Sequence, residues 1–526
     1  MASTVVLQSE MLSLSQRHRD ALAEHNIPSG IASRRATLWG PEATEEASKR
    51  LGWTSDPLLM LPLVDEVEKL RERFAARGMT HFVLCGMGGS SLAPEVICAR
   101  DKVSLTILDS THADQVWGAF PEDVSSTVVI VASKSGTTIE TATTRAYFEE
   151  RCRQAGLDPR EHIVIVTDPG SPLDRETRER GYTVFNADPE VGGRFSALTA
   201  FGLVPSTLAG ADTRTLLHEA STLWRQLAED SLENPAVMLA GALSVHGRGH
   251  AVLSPASHLP GLGDWIEQLV AESTGKDGVG VLPVVLGEST APEVIHRVPD
   301  CVVIDLGNEA ASWDVRVSAT LGAHFLLWEW ATAMVGYLLG INPFDQPDVE
   351  SAKEAARGLL DARPDDLTPD LVIDGIEVYA QNVDLSEVDS LADVWSTIAG
   401  LVGSEGYLAV HLYVDRSRES EGARFRDLLA TALHRPVTLG YGPRFLHSTG
   451  QFHKGGRPSG VFLQVSVPAE SDLEIPGYPF TFSQLITAQQ AGDRAVLASR
   501  GYPVVALRLA NTEQWRSVVR SAEDEG

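Results

Sequence analysis

In residues 131–141, VASKSGTTIET, an apolar run ends in Ser133, Lys134, Ser135, Gly136, Thr137 and Thr138, just where a helix should begin. Hydroxyls donate hydrogen bonds to phosphate oxygens, and the start of a helix adds its dipole, so this composition suits an anion. Capping a helix needs one Ser or Thr; four hydroxyls and a lysine are more than a cap uses. A second loop, GMGGSS at residues 86–91, brings Gly89 and Ser90 to the end of another apolar run. Glycines there let backbone N–H groups approach a phosphate. A dinucleotide fingerprint would have a third glycine where Ser91 stands, with Asp109 as the ribose-binding acid. Without that glycine, the two hydroxyl-rich turns fit a terminal phosphate monoester better than a pyrophosphate.

Three further segments carry groups suited to acid–base work. Glu272 stands in AESTGK, Arg194 follows two glycines in EVGGRFS, and Lys353 closes INPFDQPDVESAK. Taken locally, Glu272 reads as a glutamate at a helix end in solvent, and the bland reading of Lys353 is an exposed helix lysine. Arg194 is different, because the glycines before it let backbone come close to a ligand that its permanent charge can face. The histidines are scattered and lack Cys or carboxylates at ligand spacing, so neither a metal nor another cofactor is expected.

Those residues need a scaffold. HFVLC, SLTILDS, STVVIVA and HIVIVT read as apolar strands separated by helical stretches, which implies a parallel sheet covered on both faces. HAVLSPAS, VLPVVLGE and CVVIDLGNE form a second such series; IEVYAQN, GYLAVHLYVD, PVTLGYG, GVFLQVSV and YPVVALRLA form a third. The expected architecture is α/β throughout: an N-terminal helical segment (1–60), two α/β domains (61–210 and 211–362) and a C-terminal α/β domain (363–526), with the boundary at the Pro- and Asp-rich ARPDDLTPD.

Composition narrows the function. A chain of 526 residues exceeds one core. Its formal net charge of −28 disfavours nucleic acid and anionic membranes, both of which need a broad basic face. The apolar stretch 321–341 is long enough to span a bilayer, but His324 and Glu329 in the body and the lack of basic flanks favour a buried central helix. The four cysteines, Cys85, Cys98, Cys152 and Cys301, have no paired spacing. With no basic start followed by an apolar block at the N-terminus, a cytoplasmic location is expected.

GMGGSS and SKSGTT, in this order, resemble the sugar isomerase (SIS) domain, a flavodoxin-like module that binds phosphosugars. EVGGRFSALTAFG, AESTGKDG and INPFDQPDVESAK are similar to successive signatures of the glucose-6-phosphate isomerase family, through residues 80–353. The last 150 or so residues, with RFLHSTGQFHKGG, look like the isomerase half of bacterial transaldolase–phosphoglucose isomerase fusion proteins. The resemblance implies tandem flavodoxin-like SIS domains and a sugar phosphate as substrate, isomerised through a cis-enediol. It implies that Gly89, Ser90, Ser133, Ser135 and Thr138, with Lys134 and Thr137 in the same loop, hold the phosphate. Glu272 would be the base, Arg194 would face the enediolate, and Lys353 would assist ring opening, although Asp348 replaces a usual glycine before it.

The family's ring-opening histidine belongs between the glutamate and the lysine. Here His296 and His324 lack the motif's context, and the matching LHSTGQ lies after the lysine. His447 aligns with the histidine and His453 is the rival; Gln451, which closes the motif, and His453 are expected to bind substrate. In the family that histidine comes from a neighbouring subunit, which points to a homodimer; the changed chain order leaves open whether it acts within one chain. Tolerance for mannose 6-phosphate, or a non-catalytic phosphosugar-binding regulator, are the alternatives. A regulator would have no reason to keep Glu272, Arg194 and Lys353.

Overall fold

The computed structural model describes residues 3–245, 249–298, 300–349, 355, 358, 360 and 368–523. Lys353 lies outside the described residues, as does most of the segment that joins the second sheet to the third. Three sheets organise the rest. In chain order the strands are β1 (Thr4–Leu7), β2 (His81–Gly86), β3 (Thr106–Leu108), β4 (Thr127–Ala132), β5 (Ile163–Thr167), β6 (Thr183–Asn186), β7 (His250–Ser254) and β8 (Leu282–Val285). There follow β9 (Cys301–Asp305), β10 (Val315–Ser318), β11 (Leu371–Ile373), β12 (Ile376–Gln381), β13 (Tyr407–Tyr413), β14 (Val437–Tyr441), β15 (Gly460–Ser466) and β16 (Val504–Arg508).

The first sheet runs β3-β2-β4-β5-β6 and is parallel throughout. Every residue of β4 is buried, as expected for a strand covered on both faces. This order is that of flavodoxin-like sheets, in which chain direction reverses beside the first strand; ligands bind at the carboxyl ends of the strands at that point. Here the point lies between β2 and β4, the two strands that end in GMGGSS and SKSGTT.

The second sheet runs β1-β10-β9-β7-β8, with β1 antiparallel at its edge and the rest parallel. Residues 4–7 thus serve the second sheet rather than the first. Residues 321–341 form the central helix Leu321–Leu339, buried from Leu321 to Gly336. Burial lowers the pKa of His324 to about 3 and raises that of Glu329 well above the carboxylate range, so the core keeps both uncharged. Among the described residues no helix is long and apolar enough to cross a membrane.

The third sheet runs β11-β12-β16-β15-β13-β14, parallel except for the antiparallel edge formed by β11 and β12. Four strands stand outside the apolar runs read in the sequence. These are β1, β6, β10 and β11, of three or four residues each, at least one of them exposed or half-buried. Such strands carry no continuous apolar signal.

Candidate active site

The GMGGSS and SKSGTT turns open into one cavity of about 410 Å³. Gly89, Ser90, Ser133, Lys134, Ser135 and Thr138 line it. The Ser133 hydroxyl donates to Thr138 Oγ1 at 3.1 Å and accepts from the Gly136 amide at 3.2 Å, which draws the loop into a ring at the start of the helix Ile139–Gln154. Gly136 has φ +70°, the left-handed region that favours glycine. Ser135 and Thr137 pair at 3.0 Å on the exposed side, and Thr137 is not on the cavity wall. Lys134 Nζ pairs with Asp168 at 2.7 Å, and Asp168 shares the wall. Burial lowers the lysine's pKa against the pull of that carboxylate.

Opposite the phosphate-type loops stand Glu272 and Arg194. Glu272 sits in the last turn of the helix Leu262–Thr274, with its side chain 13% exposed, and Arg194 Nη1 is 3.1 Å from its Oε1. Gln268, one turn earlier, donates from Nε2 to Glu272 Oε2 at 3.1 Å and to the His447 carbonyl at 2.8 Å. The rest of the guanidinium is committed: Nε to Ser273 Oγ at 2.7 Å, Nη1 to Gln346 Oε1 at 3.0 Å, and Nη2 to the carbonyls of Pro343 at 2.7 Å and Asp345 at 3.0 Å. Two glycines close the frame. A Cβ on Gly89 would lie 2.1 Å from the Gly193 carbonyl oxygen, and one on Gly88 2.6 Å from that of His447. The glycine loop is therefore wedged between the EVGGRFS turn and the histidine turn.

His447 ends a short 3-10 turn (Arg444–His447) and faces the same cavity. Its Nε2 is 3.1 Å from Glu140 Oε1, in the first turn of the helix Ile139–Gln154. The rival, His453, is elsewhere: it is buried in the third sheet's core, with Nδ1 2.9 Å from the Tyr407 hydroxyl, and burial lowers its pKa well below the usual histidine value. Gln451 does not line the cavity either. Its side chain binds the Gly275 carbonyl at 2.9 Å, Asp348 Oδ2 at 2.7 Å and the Asp348 amide at 2.9 Å. Gln451 thus spends both polar atoms of its side chain, and His453 its Nδ1, on protein partners away from the cavity. His296 packs edge-on against His434, and the ring nitrogens of His324 have no hydrogen-bond partner in the core. Asp109 faces no ribose subsite: it pairs with Arg444 at 2.9 Å and Arg416 at 3.5 Å in a buried network with Glu95.

Several residues of the site were not picked out from the sequence. Arg50, Gln268 and Gln346 line the cavity, and Glu140 meets His447. Lys276 pins the segment leading to Lys353, donating to the carbonyls of Asn342 at 2.7 Å and Asp345 at 2.6 Å and to Asp345 Oδ1 at 2.6 Å. Glu140 and Lys276 lie inside the quoted segments, so the only available signal was a charge that the local pattern buries. Among the described residues no group of three histidine, cysteine or acidic side chains is placed to hold a metal ion.

The family model described as phosphoglucose isomerase matches residues 66–292. A probable glucose-6-phosphate isomerase of Natronomonas pharaonis is 30% identical over 378 residues, which is 61% of this chain and 87% of the relative. Among solved structures, a hypothetical protein of Thermus thermophilus superposes with a TM-score of 0.58 at 26% identity, over 68% of this chain and all of its own. A glucose-6-phosphate isomerase of Chlamydia trachomatis shares the fold, with a TM-score of 0.54 at 19% identity over 68% of this chain and 86% of that one.

Proposed function

The chain belongs to the phosphoglucose isomerase family and interconverts glucose 6-phosphate and fructose 6-phosphate, and we propose that it does so with Glu272 as the base and His447 as the ring-opening group. The observation that carries this reading is the convergence of Glu272, Arg194 and His447 with the Ser133–Thr138 loop around one cavity.

The hydroxyls of Ser90, Ser133, Ser135 and Thr138, with the N-terminus of the helix Ile139–Gln154, bind the 6-phosphate as a fixed handle. Lys134 adds charge to that loop while Asp168 holds it in place. His447 moves a proton at the ring oxygen or the anomeric hydroxyl, oriented by Glu140. Lys353 shares that step on the strength of its motif alone. Glu272 takes the C2 proton of the open-chain aldose and returns it to C1; one carboxylate oxygen can serve both carbons because they are adjacent. Arg194 stabilises the enediolate, and its fixed contacts to Ser273, Pro343 and Asp345 mean that little reorganisation is needed as charge develops.

A role limited to phosphosugar binding has no use for an arginine–glutamate pair kept in the cavity. A cytoplasmic location belongs to the same reading and is supported by four unpaired cysteines, three of them buried. The proximity of His447 to Glu140 within one chain supports a site that needs no second subunit. The test is turnover of fructose 6-phosphate coupled to glucose-6-phosphate oxidation. The protein is expected to turn over, and Glu272→Gln to lose about 10²- to 10⁴-fold in kcat. Undiminished turnover in Glu272→Gln would remove Glu272 as the base.

A further inference from the structure

Behind His447 the hydrogen bonds continue into the C-terminal unit. Glu140 Oε1, which meets His447 Nε2 at 3.1 Å, also accepts from Gln489 Nε2 at 2.7 Å. Gln489 lies on the helix Phe482–Ser499, and its Oε1 accepts in turn from the Thr111 hydroxyl at 2.7 Å. Glu140, Gln489 and Thr111 are 6%, 3% and 0% exposed. We propose that Gln489, held by Thr111, is a positioning residue for ring opening that fixes Glu140 as an acceptor and so sets the tautomer and basicity of His447. The proposal rests on the reading of His447 given above.

The Gln489 amide nitrogen can only donate, and the opposite orientation would put its carbonyl oxygen against a carboxylate oxygen. The hydroxyl of Thr111 satisfies the amide oxygen and removes any reason to flip. Glu140 Oε1 is thereby kept as an acceptor. A carboxylate in that state accepts a hydrogen bond from His447 Nε2–H, which leaves Nδ1 as the atom that exchanges protons with substrate. Gln489 also withdraws part of the carboxylate's charge from His447. The three members come from the loop after β3, the phosphate-loop helix and the helix Phe482–Ser499, so closing the chain requires the third sheet's unit to dock on the first.

Removing the amide raises the affinity of the Glu140–His447 pair for a proton, because the anion loses a donor. The limb of the pH profile that belongs to the pair is identified as the one abolished by Glu140→Gln. In Gln489→Leu that limb is expected to move to higher pH by about one unit, with kcat on glucose 6-phosphate down about tenfold and KM within about twofold. Thr111→Val is expected to move the same limb in the same direction by less, and it carries the test if Gln489→Leu does not fold. A folded variant whose limb stays in place would overturn the proposal. If Glu140→Gln and His447→Ala leave turnover intact, the assignment of the pair itself fails, and Gln489 with it.

Discussion

Glu272 and Arg194 lie 3.1 Å apart within the cavity, and the reaction assigned to them needs both charges to persist together. Lys276 adds a third charge just behind, buried and bound to Asp345. Its pKa falls to about 8, chiefly through burial and then through the Arg194 charge. In the unfolded chain the amine keeps its proton to about 10.4. Between these two values the unfolded state holds more protons than the folded one, so this residue's contribution to stability rises with pH across that window. The measurement is urea unfolding of the protein and of Lys276→Met at about pH 7.5 and about pH 9.5. The protein is expected to gain on the variant at the higher pH; a constant gap would show that Lys276 does not titrate there. At this scale the sequence was a partial guide. Motif position pointed to Arg194, Glu272 and the hydroxyls of Ser90, Ser133, Ser135 and Thr138, which line one cavity. Glu140 was invisible as a partner of His447, since the two are brought together only by the docking of distant segments.

The elements that present these groups show why some of the fold was legible and some was not. β2, β4, β5, β13 and β15 are buried on both faces and announce themselves as apolar runs. β1 and β6 are edge strands of four residues with exposed positions, and their alternation is too short to separate from a loop. Turn chemistry carried more information than strand length: both hydroxyl-rich loops, GMGGSS and SKSGTT, sit where the order of the first sheet reverses. Their packing is tight enough to test. Gly89→Ala would drive a Cβ into the backbone of Gly193, where no side chain can yield. It is expected to cost about 1–3 kcal/mol of stability in denaturant unfolding and to lower kcat by shifting the adjoining Arg194. A variant with both unchanged would show that the two loops part readily.

For the whole molecule, the order of the motifs along the chain proved a poor guide to their arrangement in space. LHSTGQ follows the lysine signature, yet His447 reaches the cavity of its own chain, carried by the unit built on β11–β16. His453, six residues on, belongs to that unit's core. The sequence placed both in one motif and could not separate them, because burial is decided by β13 and β15 beneath the short helix Gly450–Gly455. The place of His447 on the cavity wall of its own chain has a consequence. Co-refolding His447→Ala with Glu272→Gln is expected to give no more activity than either variant alone. Recovery on mixing would mean that the histidine crosses between chains.

The most direct measurement follows the proton itself. With fructose 6-phosphate in D₂O, the protein is expected to place deuterium at C2 of the glucose 6-phosphate formed, as read by proton NMR, while Glu272→Gln forms deuterated product about 10²- to 10⁴-fold more slowly. Deuterium appearing at C2 at the same rate in Glu272→Gln would contradict the account, because some other group would then be moving the proton.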